Sequence, residues 1–183
     1  EALHHAKKYK RPVHLMGLLT DVQSAHANPK HLYALLDFFR KEEQKEVYLH
    51  LFTDGRDSPP HAAVKFLKAL RKNMKGDEKI ASIMGRFYAM DRNKIWERTE
   101  LAYNTMVFGK GWGEDASAEE AIMQAYNRNE TDEYISPTVI KDKDNHPIAT
   151  IKDNDVIYFF NSRSDRARQL TKVFVQKKFT KMN

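Results

Sequence analysis

Four apolar runs of strand length, at 13–19, 47–52, 80–84 and 156–160, divide this 183-residue chain. Each is of strand length and too short to cross a membrane. Runs of this kind belong in the middle of a parallel sheet, covered on both faces. Helical patterns lie between them, so strand and helix alternate. The chain is therefore predicted to be α/β: a three-layer sandwich with a mainly parallel central sheet and helices on both faces. Parallel strands put their carboxyl ends along one edge, where open α/β sheets bind their ligands. The loops at those ends read TDVQSAHAN (20–28), TDGRDSPP (53–60), GRFYAMDR (85–92) and NSRSDR (161–166). His26, Arg56, Asp57, Arg86, Arg92, Arg163 and Arg166 should then meet in one place. Five arginines and a histidine around one carboxylate describe a pocket for a small, highly charged substrate.

The intervening pattern supports this frame. Residues 1–10 read as a helix stopped by Pro12. Pro29 sits near the start of a second helix, 31–45, with Leu32, Leu35, Leu36 and Phe39 at one-face spacing. Pro59 and Pro60 open a third helix running to Lys75. Asp91 is a plausible N-cap for a helix over 92–108. Residues 109–113 read as a loop. Ser117 followed by Glu120 forms a capping-box pattern for a helix to about Asn127. Residues 128–154 change character: short extended pieces flank Asp144-Asn145-His146-Pro147, which reads as a hairpin turn. A closing helix is expected over 165–177. One domain of 1–183 accounts for the length.

Charge narrows the ligand. The chain carries a net charge of +6, which admits nucleic acid, an anionic membrane or a small anion as partner. Twenty of the 31 basic residues are lysines, spread beside acids along helices as a solvated surface. Five of the eleven arginines sit instead in three of the four strand-end loops. Arginine's planar fork suits carboxylate and phosphate. No nucleic-acid recognition motif accompanies the charge, so neither nucleic acid nor membrane is the expected partner. A mean hydropathy of −0.71 and the lack of a long apolar stretch speak against a membrane span. Cysteine is absent, and the histidines show no ligand spacing, so no metal is expected within this chain.

Each motif has a plainer reading. Asp54-Gly55-Arg56-Asp57 could be a tight turn held by a local ion pair, or a carboxylate pair placed to orient a hydroxyl and take its proton. Arg86 and Arg92 leave a strand and enter a helix six residues apart, where backbone amides add positive potential; the alternative is a surface pair with Asp91. Asp165 reads as a simple helix cap beside Arg163 and Arg166. His26, taken alone, reads as a solvent-facing loop histidine.

Five segments together resemble the cofactor-independent (2,3-bisphosphoglycerate-independent) phosphoglycerate mutase family: LMGLL at 15–19, DGRDSPP at 54–60, IASIMGRFYAMDRNKIWER at 80–98, ETDEYISPTVI at 130–140 and FFNSRSDRARQLT at 159–171. The resemblance covers nearly the whole chain. It implies the phosphotransferase, substrate-binding domain of a two-domain enzyme. The other, phosphatase-like domain holds two divalent metal ions, usually manganese, and the serine that becomes phosphorylated, and nothing here resembles it. The chain therefore reads as a piece of a longer protein, with 1–10 and 177–183 near the hinges and close in space.

The resemblance further implies a cytoplasmic, monomeric enzyme that interconverts 3-phosphoglycerate and 2-phosphoglycerate, with the missing domain joined in cis. Carried over by motif, His26, Arg56, Asp57, Arg86, Arg92, Arg163 and Arg166 bind the phosphorylated glycerate, with Asp57 and His26 also as catalytic groups. This chain alone should be inactive and bind its ligand weakly. Two departures stand out. TDVQSAHAN replaces a glycine-containing family loop, and Ser162 replaces a usual large aromatic, which should loosen the packing that aims Arg163. A non-catalytic phosphate-ligand-binding regulator on the same fold is the alternative, with a basic nucleic-acid-binding module behind it.

Overall fold

The computed structural model describes residues 1–177 and 179–182. The hinge expectation for 177–183 therefore falls partly outside them, at Lys178 and Asn183. The four apolar runs form β1 (Val13–Leu19), β2 (Val47–Thr53), β3 (Lys79–Gly85) and β6 (Val156–Phe159). All four are parallel, in spatial order β3-β2-β1-β6. The strands alternate sides: Val13, Leu15 and Leu19 of β1 point to one core, Met16 and Leu18 to the other.

Helices cover both faces. On the first lie α1 (Ala2–Tyr9), α2 (Pro29–Lys41), α3 (Ala63–Arg71) and α6 (Ala118–Asn127), through residues such as Ala6, Leu36, Phe39, Leu70 and Ile122. On the second lie α4 (Arg86–Ala89), α5 (Trp96–Val107) and α7 (Arg168–Val175), through Ala89, Ala102, Met106 and Leu170. The three-layer α/β expectation holds.

Two further short strands lie beyond β3. β4 (Gly113–Asp115) and β5 (Thr138–Ile140) extend the sheet beyond β3, with β5 antiparallel to β3 and β4 parallel to β5. β5 falls among the short extended pieces expected around 144–147, while β4 was not expected and starts at Gly113, the last residue of the expected 109–113 loop. The hairpin at 144–147 exists as a single antiparallel bridge, Lys141 to Pro147.

Helix boundaries moved for identifiable reasons. Asn28 caps α2 by accepting from Lys30 N, and Ser117 caps α6 by accepting from Glu120 N. α2 ends at Lys41, short of Lys45, because Glu43 turns left-handed and Gln44 N donates back to Phe39 O. α3 begins at Ala63, not at the prolines. Its cap comes from far away: the buried Asp132 carboxylate accepts from Ala62 N and Ala63 N, both at 2.8 Å. The expected helix 92–108 is α5 alone, preceded by the short α4; Asp91 still accepts from Ile95 N.

Two glycines let the 132–135 segment reach the carboxyl edge. Gly55 has a φ of 65°, and a Cβ there would lie 2.5 Å from Glu133 N. A Cβ on Gly85 would collide with the Glu133 carbonyl. Without side chains at these points, the 3-10 turn Asp132–Tyr134 lies across the ends of β2 and β3.

Candidate functional site: an arginine pocket at the strand ends

The neighbour of β1 changes direction of progression here: β2 and β3 lie on one side of it, β6 on the other. That is the switch point at which open sheets leave a crevice. The loops after β1 and β6 close over it. Ser162 donates to His26 O through both its N–H (2.8 Å) and its hydroxyl (3.2 Å), and Asn161 Oδ1 accepts from Leu18 N. Ser162 thus ties two loops together, while Arg163 beside it stays half-exposed.

Asp54 organises the floor. Its buried carboxylate accepts from the Thr20 hydroxyl, from Arg86 Nη1 at 2.6 Å, and from the backbone N–H of Arg56 and Asp57. Arg86 is 2% exposed, and its Nη1 also donates to Asp57 Oδ2 at 3.0 Å. Asp57 accepts in addition from the Ser24 hydroxyl at 2.8 Å. Burial pushes the Asp57 carboxyl up, but the Ser24 and Arg86 hydrogen bonds and the Arg86 charge outweigh it and hold the group below its ordinary value. An ionised, well-donated carboxylate orients a hydroxyl better than it removes a proton.

A cleft of about 210 Å³ opens beside this floor, lined by Arg56, Arg86, Arg92 and Arg166 together with Arg98, Glu133 and Tyr134. Arg56 pairs with Glu133 at 3.2 Å. Arg92 and Arg163 both pair with Asp165, at 2.9 and 3.0 Å. Arg98 lies over the Phe87 ring and pairs with Asp91 at 3.2 Å, so the surface pair expected of Asp91 goes to Arg98. Arg166 has no carboxylate in ion-pair range among the described residues; its one hydrogen bond goes to Met90 O at 3.4 Å. Burial, then Arg86, Arg92 and Arg56, pull the Arg166 guanidinium below its ordinary value. Five guanidinium groups, that of Arg98 included, therefore crowd one cleft, and the charge of Arg166 is the one left without a carboxylate among the described residues.

His26 is buried rather than solvent-facing, at 6% exposure. Burial, then Arg86, depress its pKa below 6.5 against Asp165 and Asp57, which raise it. The imidazole is neutral near pH 7 while the pocket is free.

The structure gathers the seven expected residues in one region. Arg56, Arg86, Arg92 and Arg166 line the cleft itself; Asp57, His26 and Arg163 stand behind or beside it, reached through Arg86 and Asp165. The expected single carboxylate is in fact five: Asp54, Asp57, Asp91, Asp165 and Glu133. Glu133, Tyr134 and Arg98 were not singled out as site residues. Arg98 ends the long 80–98 motif, but Glu133 and Tyr134 arrive by a chain path that no local pattern marks. Asp165, read as a helix cap, is an ion-pair partner instead.

A larger groove of about 440 Å³ at Arg40, Asp77 and Glu78 is no rival. Its arginine is spent on Asp37 and Glu78. Among the described residues no group of three or more His, Cys, Asp or Glu side chains is placed to hold a metal, and no helix is long and apolar enough to cross a membrane.

Fold and pocket together define an α/β domain with an arginine-lined cleft at the switch point of its sheet. A family profile described as the BPG-independent PGAM N-terminus matches residues 1–183. A 2,3-bisphosphoglycerate-independent phosphoglycerate mutase of Clostridium novyi is 48% identical over 181 residues, covering 98% of this chain and 35% of that protein. One from Methanosarcina barkeri is 48% identical over 180 residues, covering 97% and 35%. The crystal structure of Leishmania mexicana phosphoglycerate mutase at low cobalt concentration superposes with a TM-score of 0.92 at 30% identity, over 98% of this chain and 34% of that one. The chain belongs to the family of N-terminal domains of the 2,3-bisphosphoglycerate-independent phosphoglycerate mutases. It spans about a third of the length of the curated relatives it matches.

Proposed function

We propose that this chain is the substrate-holding domain of a cytoplasmic phosphoglycerate mutase acting in glycolysis and gluconeogenesis. The observation that carries the reading is the unmatched charge of Arg166 inside a cleft already lined by Arg56, Arg86 and Arg92. A phosphorylated three-carbon acid brings a phosphate and a carboxylate, two anions that planar guanidinium forks grip in pairs. Arg166 and Arg86 face the more buried of the two; Arg56, Arg92 and Arg163, half-exposed and on movable side chains, close on the outer one. Asp57, ionised and fixed by Arg86 and Ser24, orients a glycerate hydroxyl. His26 stands by as the group that exchanges a proton with the ligand.

Phosphoryl transfer needs positioning and charge stabilisation more than covalent chemistry from a domain like this. Among the described residues no metal cradle forms, and the divalent ions and the phosphorylated serine implied by the family resemblance are assigned to a domain joined in cis. The segments 1–10 and 177–183 would lead to it as hinges. α1 packs beside β6, the strand that leads into α7, which suits that arrangement.

Closure by a second domain supplies much of the proximity on which catalysis depends. The 183-residue chain alone is expected to show no mutase activity and to bind 3-phosphoglycerate weakly, at about millimolar Kd. A titration followed by amide chemical shifts tests this. Shifts should cluster at 20–26, 54–57, 86–92 and 161–166; even scatter, or shifts confined to the lysine-rich helices, contradicts the reading.

A further inference from the structure

Asp165 occupies an odd position. Its two oxygens are shared by three cationic or protonatable groups from three different loops: Arg92 Nη1 at 2.9 Å, Arg163 Nε at 3.0 Å and His26 Nδ1 at 3.7 Å. The Arg163 contact is close in distance but not aligned as a hydrogen bond. Asp165 Oδ1 and His26 Nδ1 are consequently both buried with no hydrogen-bond partner. The two orphans face each other across a gap about 1 Å too long for a charge-assisted hydrogen bond. Orphaned buried polar atoms are costly, and these would satisfy each other if Asp165 turned. What holds it away is its pairing with Arg92 and Arg163, whose side chains are 50% and 55% exposed and so free to swing.

We infer that Asp165 is an internal counter-anion of the pocket, holding Arg92 and Arg163 while the pocket is free and transferring to His26 when an incoming anion takes those arginines. The inference rests on the reading of the cleft as a phosphorylated-acid site and adds to it a positioning residue. Two things follow from the same handover. The arginines are kept near the cleft without ligand, at the cost of an ion pair that the ligand must displace. His26 gains a proton as the ligand enters. The groups facing His26 all favour this: the ligand neutralises Arg86 and Arg166, which oppose protonation, while Asp165 and Asp57, which favour it, remain. A histidine neutral in the free domain thus becomes an acid with its substrate in place.

The experiment follows two anions, 3-phosphoglycerate and inorganic phosphate, on the wild-type chain and Asp165→Asn. Affinity comes from amide shifts. The His26 titration comes from its ring-proton shift, assigned by its loss in His26→Asn. Removing the competing carboxylate should tighten both ligands by roughly threefold to tenfold, the scale of one or two exposed ion pairs. Saturating ligand should raise the His26 titration midpoint in the wild type, and Asp165→Asn should abolish most of that rise. Unchanged or weaker affinity in Asp165→Asn, or an equal rise in both proteins, overturns the proposal. If phosphate behaves as expected while 3-phosphoglycerate binds neither protein, Asp165 keeps its role and the substrate assignment fails. Asp165→Ala, read the same way, guards against misfolding of the first variant, since α7 starts three residues later.

Discussion

The two ends of the parallel strands bury similar groups and use them differently. At the amino end, a chain of hydrogen bonds crosses three strands: Asp155 to His14 at 3.2 Å, His14 to His50 at 3.0 Å, and His50 to Ser82 at 2.8 Å. A β-bulge between β2 and β3 sets Ser82 opposite His50. One assignment satisfies every link: Ser82 donates to His50 Nδ1, His50 Nε2–H donates to His14 Nδ1, and His14 Nε2–H donates to Asp155. Both rings are then neutral, and the one charge, on Asp155, is matched by Arg11 at 2.7 Å.

At the carboxyl end, Arg56, Arg86, Arg92, Arg163 and Arg166 face Asp54, Asp57, Asp165 and Glu133, and Arg166 is left over. Orphan atoms do not separate the two ends, since Arg11 Nε and Asp155 Oδ1 are orphans as much as Arg86 Nε and His26 Nδ1. Net charge does. A serine beside two histidines and an aspartate suggests a nucleophile in outline, yet its members are sealed in the sheet, their charges closed; the ligand edge is the one whose charges do not close.

The contrast can be broken at several points. Asp54→Ala has the largest expected effect, because it removes the fully buried partner of Arg86 and leaves only the part-exposed Asp57 to balance it. Breaking such a pair costs about 3–5 kcal/mol, read as a lower urea midpoint. Stability close to wild type would mean that Arg86 is solvated and the pocket floor soft.

The amino-end network should answer to pH instead. Burial, opposed by Asp155 and reinforced by Arg11, lowers His14 to about 4. Burial, then His14, lowers His50 as well. Because the unfolded chain takes up these protons first, the contribution is complete above pH 6.5 and is lost as pH falls toward 4. A depression from 6.5 to about 4 makes on the order of 3 kcal/mol for His14 at roughly 1.4 kcal/mol per pH unit. Denaturation at pH 7 and pH 4.5 should show most of that loss, and His14→Leu should flatten it. An equally steep decline in His14→Leu would place the acid sensitivity elsewhere.

The smallest effect expected is that of Ser162→Ala, which removes one of two bonds to His26 O and should cost about 0.5–1.5 kcal/mol. A greater effect on ligand affinity than on stability would show that the loop tie aims His26.

The sequence revealed what periodicity and strand-end chemistry can reveal. β1, β2 and β3 are buried along nearly their whole length and are written as apolar runs; β6, at the sheet edge, is only partly buried but carries the same kind of run, and the arginines stand where the runs stop. The partners of the arginines were less legible. Asp54 and Asp57 are adjacent to Arg56 in sequence but serve Arg86, thirty residues on. Glu133 reaches Arg56 through a segment with no repeat, allowed by bare backbone at Gly55 and Gly85. Asp132 caps a helix some seventy residues earlier. Such pairings are tertiary, and neither propensity nor spacing encodes them.

The arginine at the centre of the contrast is also the place to test it. Binding of 3-phosphoglycerate to Arg166→Ala should be at least about tenfold weaker than to the wild-type chain, the scale of a lost charge-assisted contact, while the urea midpoint stays the same or rises as the cationic crowding is relieved. Undiminished binding in a folded Arg166→Ala chain would mean that the excess charge at the strand ends serves something other than this anion.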